Sequence, residues 1–432
     1  MSEDPKPQPA KPRFGCLRKF VMALSVFVVL LAVVRFGAEI KGGRTLDGLR
    51  ETWKAETESE RSRLSKVHSP VLRGTPIDEN AAPRYRKLLK DVEGVDLTPL
   101  GSLDDLLPGK PLPEKAGALL GKNRATVAAL REAVRCNRCD LELELEKGVA
   151  LQLPGILPAR TLGRLVVLEG YERAASGDVE GAAQRFLDVV RYGTDLDGPL
   201  ILVMIRAAIV QDGLDALGKL VVAQDLPGPP PASIRGELGK LAPVLEDLEP
   251  YFGAFRIERL TMEKLALDAD PSAVAGESPW ALFASLSPRA FFGFQLPGFL
   301  EVFAEQDRVA RIEDPDERKR TGDALEKRVG ESGNLLVRLS VRSLAAARSV
   351  HERAVAKLRL VDTACSIESR RSADGKYPQE VSDLPADPFA QGAKLHYAPT
   401  ADATGYTLTS KGDGGPNSVR TFTLERKSAS AK

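Results

Sequence analysis

The residues whose types and spacing could support chemistry are few, and the first of them are Cys136 and Cys139 in Cys-Asn-Arg-Cys. A zinc site needs four ligands, and the other cysteines, Cys16 and Cys365, do not form a second pair at ligand spacing. A thioredoxin-type redox pair needs a strand followed by a helix, whereas this pair ends a predicted helix. We expect a structural disulfide, either within the pair or from one member to Cys365. Free thiols, and then a redox or metal role, are the alternatives.

The three histidines, His68, His351 and His396, are widely separated in the sequence. No Gly-x-Ser-x-Gly elbow, phosphate-binding glycine-rich loop or His-Glu-x-x-His pair occurs. The acidic pair Asp104-Asp105 falls in loop sequence and is interpreted as solvated surface. We therefore expect no catalytic residue and no cofactor, and we favour a non-enzymatic protein. The alternative is an enzyme whose site is assembled from distant residues.

The charge balance and the amino-acid composition favour a helical protein that does not bind nucleic acid. The 432 residues carry 61 Lys+Arg and 60 Asp+Glu, a formal net charge of +1. No overall field then favours nucleic acid, and we expect no nucleic-acid partner. Aromatic residues make up only 6% of the chain, and Ala, Leu and Arg are abundant, which favours helices. The 30 prolines and 37 glycines predict many breaks between those helices.

An apolar run near the start of the sequence predicts a membrane anchor. Residues 1–19 alternate basic residues with prolines and are expected to be a disordered tail. Residues 20–34 contain Ser25 as the single polar residue, and the window extends to residue 38. Basic residues just before the run predict that the tail stays in the cytoplasm. We expect a single-pass anchor at 20–38 in the cytoplasmic (inner) membrane, with the body outside the cytoplasm.

A cleaved signal peptide is the competing interpretation of that run. Its length would fit, but Phe36-Gly37-Ala38 places Phe where a cleavage site needs a small residue. A retained anchor is therefore favoured.

Loops and composition shifts divide the rest of the chain. We expect a solvated helical stalk at 39–68, a helical domain at 69–226, a segment of linker, helices and aromatic-rich loop at 227–334, and a C-terminal module at 335–432. Leu141, Leu143 and Leu145 alternate with acidic residues, which predicts a short extended segment. Two alanine-faced helical patterns joined at Ser176-Gly177-Asp178 predict one hairpin of tetratricopeptide type. This hairpin is either an antiparallel helix pair with a purely structural role or a peptide-binding groove.

Aromatic residues are concentrated between residues 277 and 304. One interpretation is a loop that covers the helical core. The other is an exposed apolar patch that meets a partner or the membrane surface. The candidates for that patch are Trp280, Phe283, Phe291, Phe292, Phe294 and Phe299.

The C-terminal module begins with a long helical pattern, residues 335–368, in which His351, Leu358 and Cys365 recur every seven residues. Short motifs follow in fixed order: Gly375-Lys376-Tyr377-Pro378, Asp387-Pro388-Phe389, Gly392 with Leu395 and Tyr397, Gly405-Tyr406-Thr407-Leu408-Thr409-Ser410, and Gly412-Asp413-Gly414. This order resembles the globular domain of the major pseudopilins of type II secretion. The stretches 395–398, 406–410 and 421–424 are expected to form a small antiparallel sheet on one face of the helix.

The chain departs from that family in two respects. Phe14-Gly15-Cys16-Leu17-Arg18 does not match the family's processing signal, and the apolar run lies some three hundred residues before the module. We therefore do not expect a polymerising pilus subunit. The resemblance also implies a calcium loop, for which Asp413 is a weak candidate because calcium needs more oxygen ligands than this loop supplies.

The remainder of the chain is similar to membrane-anchored helical envelope proteins of no assigned function. It shares with them the Glu79-Asn80-Ala81-Ala82-Pro83-x-Tyr85 sequence and the Gly-Asp helix pair. The predicted fold class is mainly α: a transmembrane helix, a helical-hairpin body and a small α+β pseudopilin-like module. We expect an extracytoplasmic scaffold or interaction protein with protein partners in the cell envelope, associated with a secretion or pilus-like system. An envelope enzyme, or a peptide- or lipid-binding protein, is the alternative.

Overall fold

A computed structural model describes residues 14–67, 70–72, 74–98, 102–153, 155–223, 232–268, 287–334, 336–337, 344–412 and 422–426, and for residues 14–35 the backbone alone. The helices are α1 Phe14–Leu64, α2 Ala82–Asp91, α3 Glu114–Ala133, α4 Ile156–Ala175, α5 Val179–Thr194, α6 Leu200–Val221, α7 Ala232–Glu246, α8 Glu249–Asp268, α9 Pro288–Ala310, α10 Pro315–Gly330 and α11 Leu344–Asp374. The strands are β1 Ile77–Asn80, β2 Cys136–Arg138, β3 His396–Pro399, β4 Tyr406–Ser410 and β5 Phe422–Arg426. The prediction of a mainly helical fold with a small antiparallel sheet near the C-terminus is confirmed.

The chain forms two compact units. The first comprises residues 1–52 and 265–298, and the second comprises residues 53–264 and 299–432. The domain boundaries predicted after residues 226 and 334 both fall inside the second unit. The proline-rich linker around 226–231 lies outside the described residues.

The predicted anchor at 20–38 coincides with the N-terminal part of α1. Among the described residues, no helix has both the length and the apolar character needed to cross a membrane. Most of the anchor's side chains fall outside that description.

The predicted stalk is a helix, but its C-terminal half is not a solvated one. Trp53 is buried, and its indole Nε1 donates a hydrogen bond to the carbonyl of Leu260 at 2.9 Å. Arg63 lies 2.7 Å from Glu60 and 2.8 Å from Asp197. Glu60 and Arg63 are held by ion pairs within the second unit, and the apolar residues Trp53 and Leu64 are buried there.

Helices α4, α5 and α6 form the centre of the second unit. Gly177 adopts a positive φ of 85° in the turn after α4, and the Asp178 carboxylate accepts a hydrogen bond from Gly181 N at the start of α5. A Cβ built on Gly170 would overlap the ring of Phe186, so glycine allows α4 and α5 to approach closely. The predicted helix pair is present, and α6 packs against both of its members.

A two-stranded parallel sheet that the sequence did not predict joins β1 to β2. Asn80 ties its end to the following segment, because its Oδ1 accepts from Asp140 N at 2.9 Å and its Nδ2 donates to the Asp140 carbonyl at 2.9 Å. The predicted alternation of residues 139–146 is seen in burial, since Leu141, Leu143 and Leu145 are all buried. Regular pairing of the backbone with β1, however, ends at Arg138.

In the C-terminal module, β3, β4 and β5 form an antiparallel sheet in that order, with Leu408 opposite Leu424. The sheet lies against α11, and α11 also packs against α6 and α7. The predicted stripe is buried at His351, Leu358 and Cys365. Because the helix is covered by other helices as well as by the sheet, Leu360 and Ile367 are buried too.

The described part of the aromatic-rich segment is helix α9 rather than a loop. Pro288 stands at its first position, where the missing backbone N–H has no helical partner to lose, and the helix continues through Pro297. The aromatic side chains follow the helical period, so most of them point to one face and are buried.

Candidate functional site

A groove in the second unit lies between α6, α11 and β5. Its volume is about 330 Å³. Leu214, Gly218, Leu360, Val361 and Leu424 form its apolar floor. Four charged side chains and one hydroxyl surround this floor: Asp104, Asp215, Lys219, Lys357 and Thr423.

The floor depends on a glycine in α6. A Cβ built on Gly218 would lie 3.2 Å from Leu424 Cδ1 and 3.3 Å from Val361 Cγ2. Leu424 belongs to β5 and Val361 to α11, so this glycine is the point at which all three elements come together. A larger residue at position 218 would fill the space that forms the groove.

Ion pairs hold the charged rim. Lys357 of α11 pairs with Asp215 of α6. Lys219 Nζ donates to the carbonyls of Leu103 and Asp104, at 3.2 and 2.9 Å. Burial raises the pKa of Asp215, and the Lys357 ammonium counteracts only part of that effect. The rim therefore presents two cations and two acidic groups, which suits a ligand with an apolar side chain flanked by polar or charged groups.

The sequence-predicted cysteines lie away from this groove's lining. Cys136, Cys139 and Cys365 are free, buried thiols, so the structure does not contain the expected disulfide. Cys136 begins strand β2, where the backbone advances about 3.3 Å per residue. A step of three residues then spans roughly 10 Å between Cα atoms, more than the roughly 7 Å that a disulfide can bridge.

Cys136 and Cys139 lie beside a polar network that holds β2 to α5. Arg191 donates to the carbonyls of Pro70 and Cys136, at 2.8 and 2.9 Å, and pairs with Asp195. The Tyr85 hydroxyl donates to Asp195 Oδ2 at 2.6 Å. Arg191 and Asp195 are almost completely buried. The Glu-Asn-Ala-Ala-Pro-x-Tyr motif, which ends in Tyr85, therefore contributes to the packing of the core.

The predicted partner surface is wrong for three of its six residues. Three of the described candidates are at most 1% exposed: Phe291, Phe292 and Phe299. Among the described candidates only Phe294 is exposed, at 49%. Trp280 and Phe283 lie outside the described residues. Helical periodicity explains the outcome, because only Phe294 falls on the outer face of α9.

The motifs that carry the pseudopilin resemblance act as structural ties. Asp387 is buried and accepts hydrogen bonds from Ser410 Oγ at 2.8 Å and from Lys411 N at 2.7 Å, which joins the Asp-Pro-Phe turn to the end of β4. The Tyr377 hydroxyl donates to Glu368 at 3.1 Å, which joins the Gly-x-Tyr-Pro turn to α11. The calcium candidate Asp413 lies outside the described residues.

The two histidines that the structure describes lie on different elements. His396 is exposed on β3, His68 lies outside the described residues, and His351 is buried on α11. Next to His351, Glu352 is held by Arg318 at 2.6 Å and by Arg348 at 3.1 Å. Within the described part of the chain, no three His, Cys, Asp or Glu side chains are grouped in a way that could hold a metal ion.

Sequence reasoning missed the groove because its residues come from four separate segments. The one local signal is on α6, where Leu214 and Gly218, and Asp215 and Lys219, are each four residues apart and share a helix face. That pattern indicates a small residue beside a charged pair, but it does not reveal that α11 and β5 complete the site.

Comparisons of the chain with protein-family models, with curated proteins and with solved structures found no significant match.

Proposed function

We propose that this chain is a membrane-anchored extracytoplasmic interaction protein that binds a short segment of a partner protein in the groove between α6, α11 and β5. The groove carries the proposal. Its volume of about 330 Å³ falls within the range of about 300–1,000 Å³ that is usual for ligand sites. Its apolar floor and charged rim match a peptide side chain flanked by polar backbone and charged groups.

Support for the membrane anchor comes from the sequence. The basic, proline-rich residues 1–19 precede an apolar run at 20–34, and the helical backbone of α1 extends through that run. The order of basic residues and apolar run favours a body outside the cytoplasm.

We further propose that the partner belongs to a secretion or pilus-like assembly of the cell envelope. The support is the ordered set of C-terminal motifs, together with the ties that Asp387 and Tyr377 make between turns, strand and helix. The choice of partner rests on resemblance of a module and not on a shared site.

Site-specific photocrosslinking tests the binding role. Thr423 and Glu425 are both on β5 and are two residues apart, so they share a face of the strand, but only Thr423 lines the groove. A photoreactive phenylalanine analogue would replace each in turn in the full chain in cells. We expect a discrete protein adduct from position 423, at least fivefold stronger than from position 425.

The identity of the crosslinked protein then tests the proposal that the partner belongs to a secretion or pilus-like assembly. A component of a secretion or pilus-like machine would support it, and an unrelated envelope protein would restrict the proposal to partner binding. Equal adducts at both positions, or none from folded protein at either, would contradict binding in the groove.

A further inference from the structure

Three large apolar side chains are exposed in the compact unit made of residues 1–52 and 265–298. They are Phe36, which is 70% exposed, Ile40, which is 43% exposed, and Phe294, which is 49% exposed. We call these three residues the aromatic patch. Large side chains with this much exposure on neighbouring elements are typical of a contact surface.

Two glycines bring together the two helices that carry these residues. Phe36 and Ile40 are four residues apart and share a face of α1. A Cβ built on Gly42 of α1 would overlap the backbone of Arg289 and Ala290, and one on Gly293 of α9 would overlap Gly42. The helices thus meet backbone to backbone.

This close approach positions Phe294 beside α1. Phe294 directly follows Gly293, and the Lys41 ammonium lies 5.8 Å from the centroid of its ring. The cation–π geometry joins the aromatic patch to a basic residue that is itself exposed.

The position of the patch along α1 indicates what covers it. The predicted anchor ends at residue 38, and a helix rises about 1.5 Å per residue. Phe36 then lies in the last turn of the anchor, and Ile40 is about 3 Å beyond its end. The headgroup layer of a bilayer is about 5–8 Å thick on each side, and phenylalanine and basic side chains are suited to that depth.

Charge favours the same surface. Lys41, Arg44 and Arg289 are exposed around the patch, and Glu39 is the acidic residue nearest to it on α1. An excess of basic over acidic side chains beside apolar ones is the pattern that anionic lipid headgroups attract.

We propose that the aromatic patch lies where the acyl chains meet the headgroup layer of the membrane, so that α9 is a second membrane contact beside the anchor. The proposal rests on the membrane anchoring proposed above and adds a second element, distant in sequence, to the membrane-bound surface. Its occupant is the outer face of the same bilayer that the apolar run enters.

Quenching by brominated lipids measures this contact directly. The full chain is reconstituted into vesicles of phosphatidylcholine and phosphatidylglycerol, with acyl chains brominated near the headgroup. Tryptophan is placed by Phe36→Trp, Phe294→Trp or, as a control, Leu157→Trp, each in a Trp280→Phe background. Leu157 is 81% exposed in the other compact unit and does not belong to the patch.

We expect brominated lipid to reduce the added fluorescence at least twofold for Phe36→Trp and for Phe294→Trp, and to leave Leu157→Trp within a tenth of its value in unbrominated vesicles. Quenching of Phe36→Trp without Phe294→Trp would overturn the second contact while leaving the anchor in place. No quenching of either would contradict the anchor itself. Equal quenching of Leu157→Trp would also overturn the proposal, because contact would not be confined to the patch.

Discussion

His351 is an uncharged histidine on the buried side of α11. It is 9% exposed, and its Nε2 has no hydrogen-bond partner among the described residues. Burial, with the nearby guanidinium groups of Arg206 and Arg348, lowers its pKa to about 3. Between about pH 3 and pH 6.5 the folded protein therefore holds this side chain uncharged, whereas an unfolded histidine, with a pKa near 6.5, binds a proton.

This difference makes stability depend on pH. Above about pH 6.5, His351 does not lower the free energy of unfolding. As the pH falls from 6.5 toward 3, this free energy decreases, because the unfolded state binds the proton that the folded state excludes. From pH 7 to pH 5 we expect the free energy of unfolding to fall by about 2 kcal/mol through this group. His351→Gln should remove that loss, as measured by denaturant unfolding in detergent micelles at both pH values. His396→Gln, at an exposed site, should not; a similar change in both variants would contradict the assignment.

The three buried thiols give a second test at the scale of residues. Burial raises the pKa of Cys365 to about 12 and also raises that of Cys136 and Cys139, so none of them should be an exposed thiolate near neutral pH. In a Cys16→Ser variant, we expect a thiol-specific dye to react with none of them in the native protein and with three after denaturation. A count of one after denaturation would instead show the disulfide that the spacing of the cysteines suggested.

At the scale of elements, the interface between α4 and α5 depends on Gly170. Gly170→Ala should lower the free energy of unfolding by about 1–3 kcal/mol, because the added methyl group overlaps the Phe186 ring, which also contacts Tyr171. Gly239→Ala is the matched control, since a Cβ there meets no atom within 4 Å and should stabilise helix α7 by about 0.5–1 kcal/mol. Thermal unfolding followed by circular dichroism gives both values. Destabilisation of equal size in the two variants would show that packing at position 170 is not the cause.

Elements with a local signal could be predicted, and elements defined by distant partners could not. The turn at Ser176-Gly177-Asp178 contains its own glycine and helix cap, and β4 was predicted with the bounds it has, because alternation and turn residues are local properties. The β1–β2 sheet joins residues about sixty positions apart, and the burial of Trp53 depends on α8. The groove likewise needs residues near 104, 218, 360 and 424 to meet, which no window of sequence contains.

At the scale of the whole molecule, the helical body and the C-terminal sheet belong to one compact unit, because α11 packs against α6 and α7 as well as against β4 and β5. We therefore expect them to unfold together. Tyr406→Ala removes a fully buried ring that contacts Tyr377, at a cost of about 3–5 kcal/mol.

The readout for that variant is Trp53, far from the sheet in sequence and buried beside α8. In a Trp280→Phe background, its fluorescence and the far-ultraviolet circular dichroism should shift to lower temperature together. A Trp53 transition that stays in place while part of the circular dichroism signal melts earlier would show that the C-terminal module is an independent domain.

The packing of α11 on α6 also has a consequence in time. Residues 200–221 leave the ribosome roughly 150 positions ahead of the end of α11, an interval of about 8–30 s at usual elongation rates. Throughout that interval, Leu214 and its apolar neighbours have no cover from the helix that later buries them. A nascent chain is thus expected to need a chaperone at this stage, and translation products that stop before residue 344 should be degraded and not accumulate as shortened proteins.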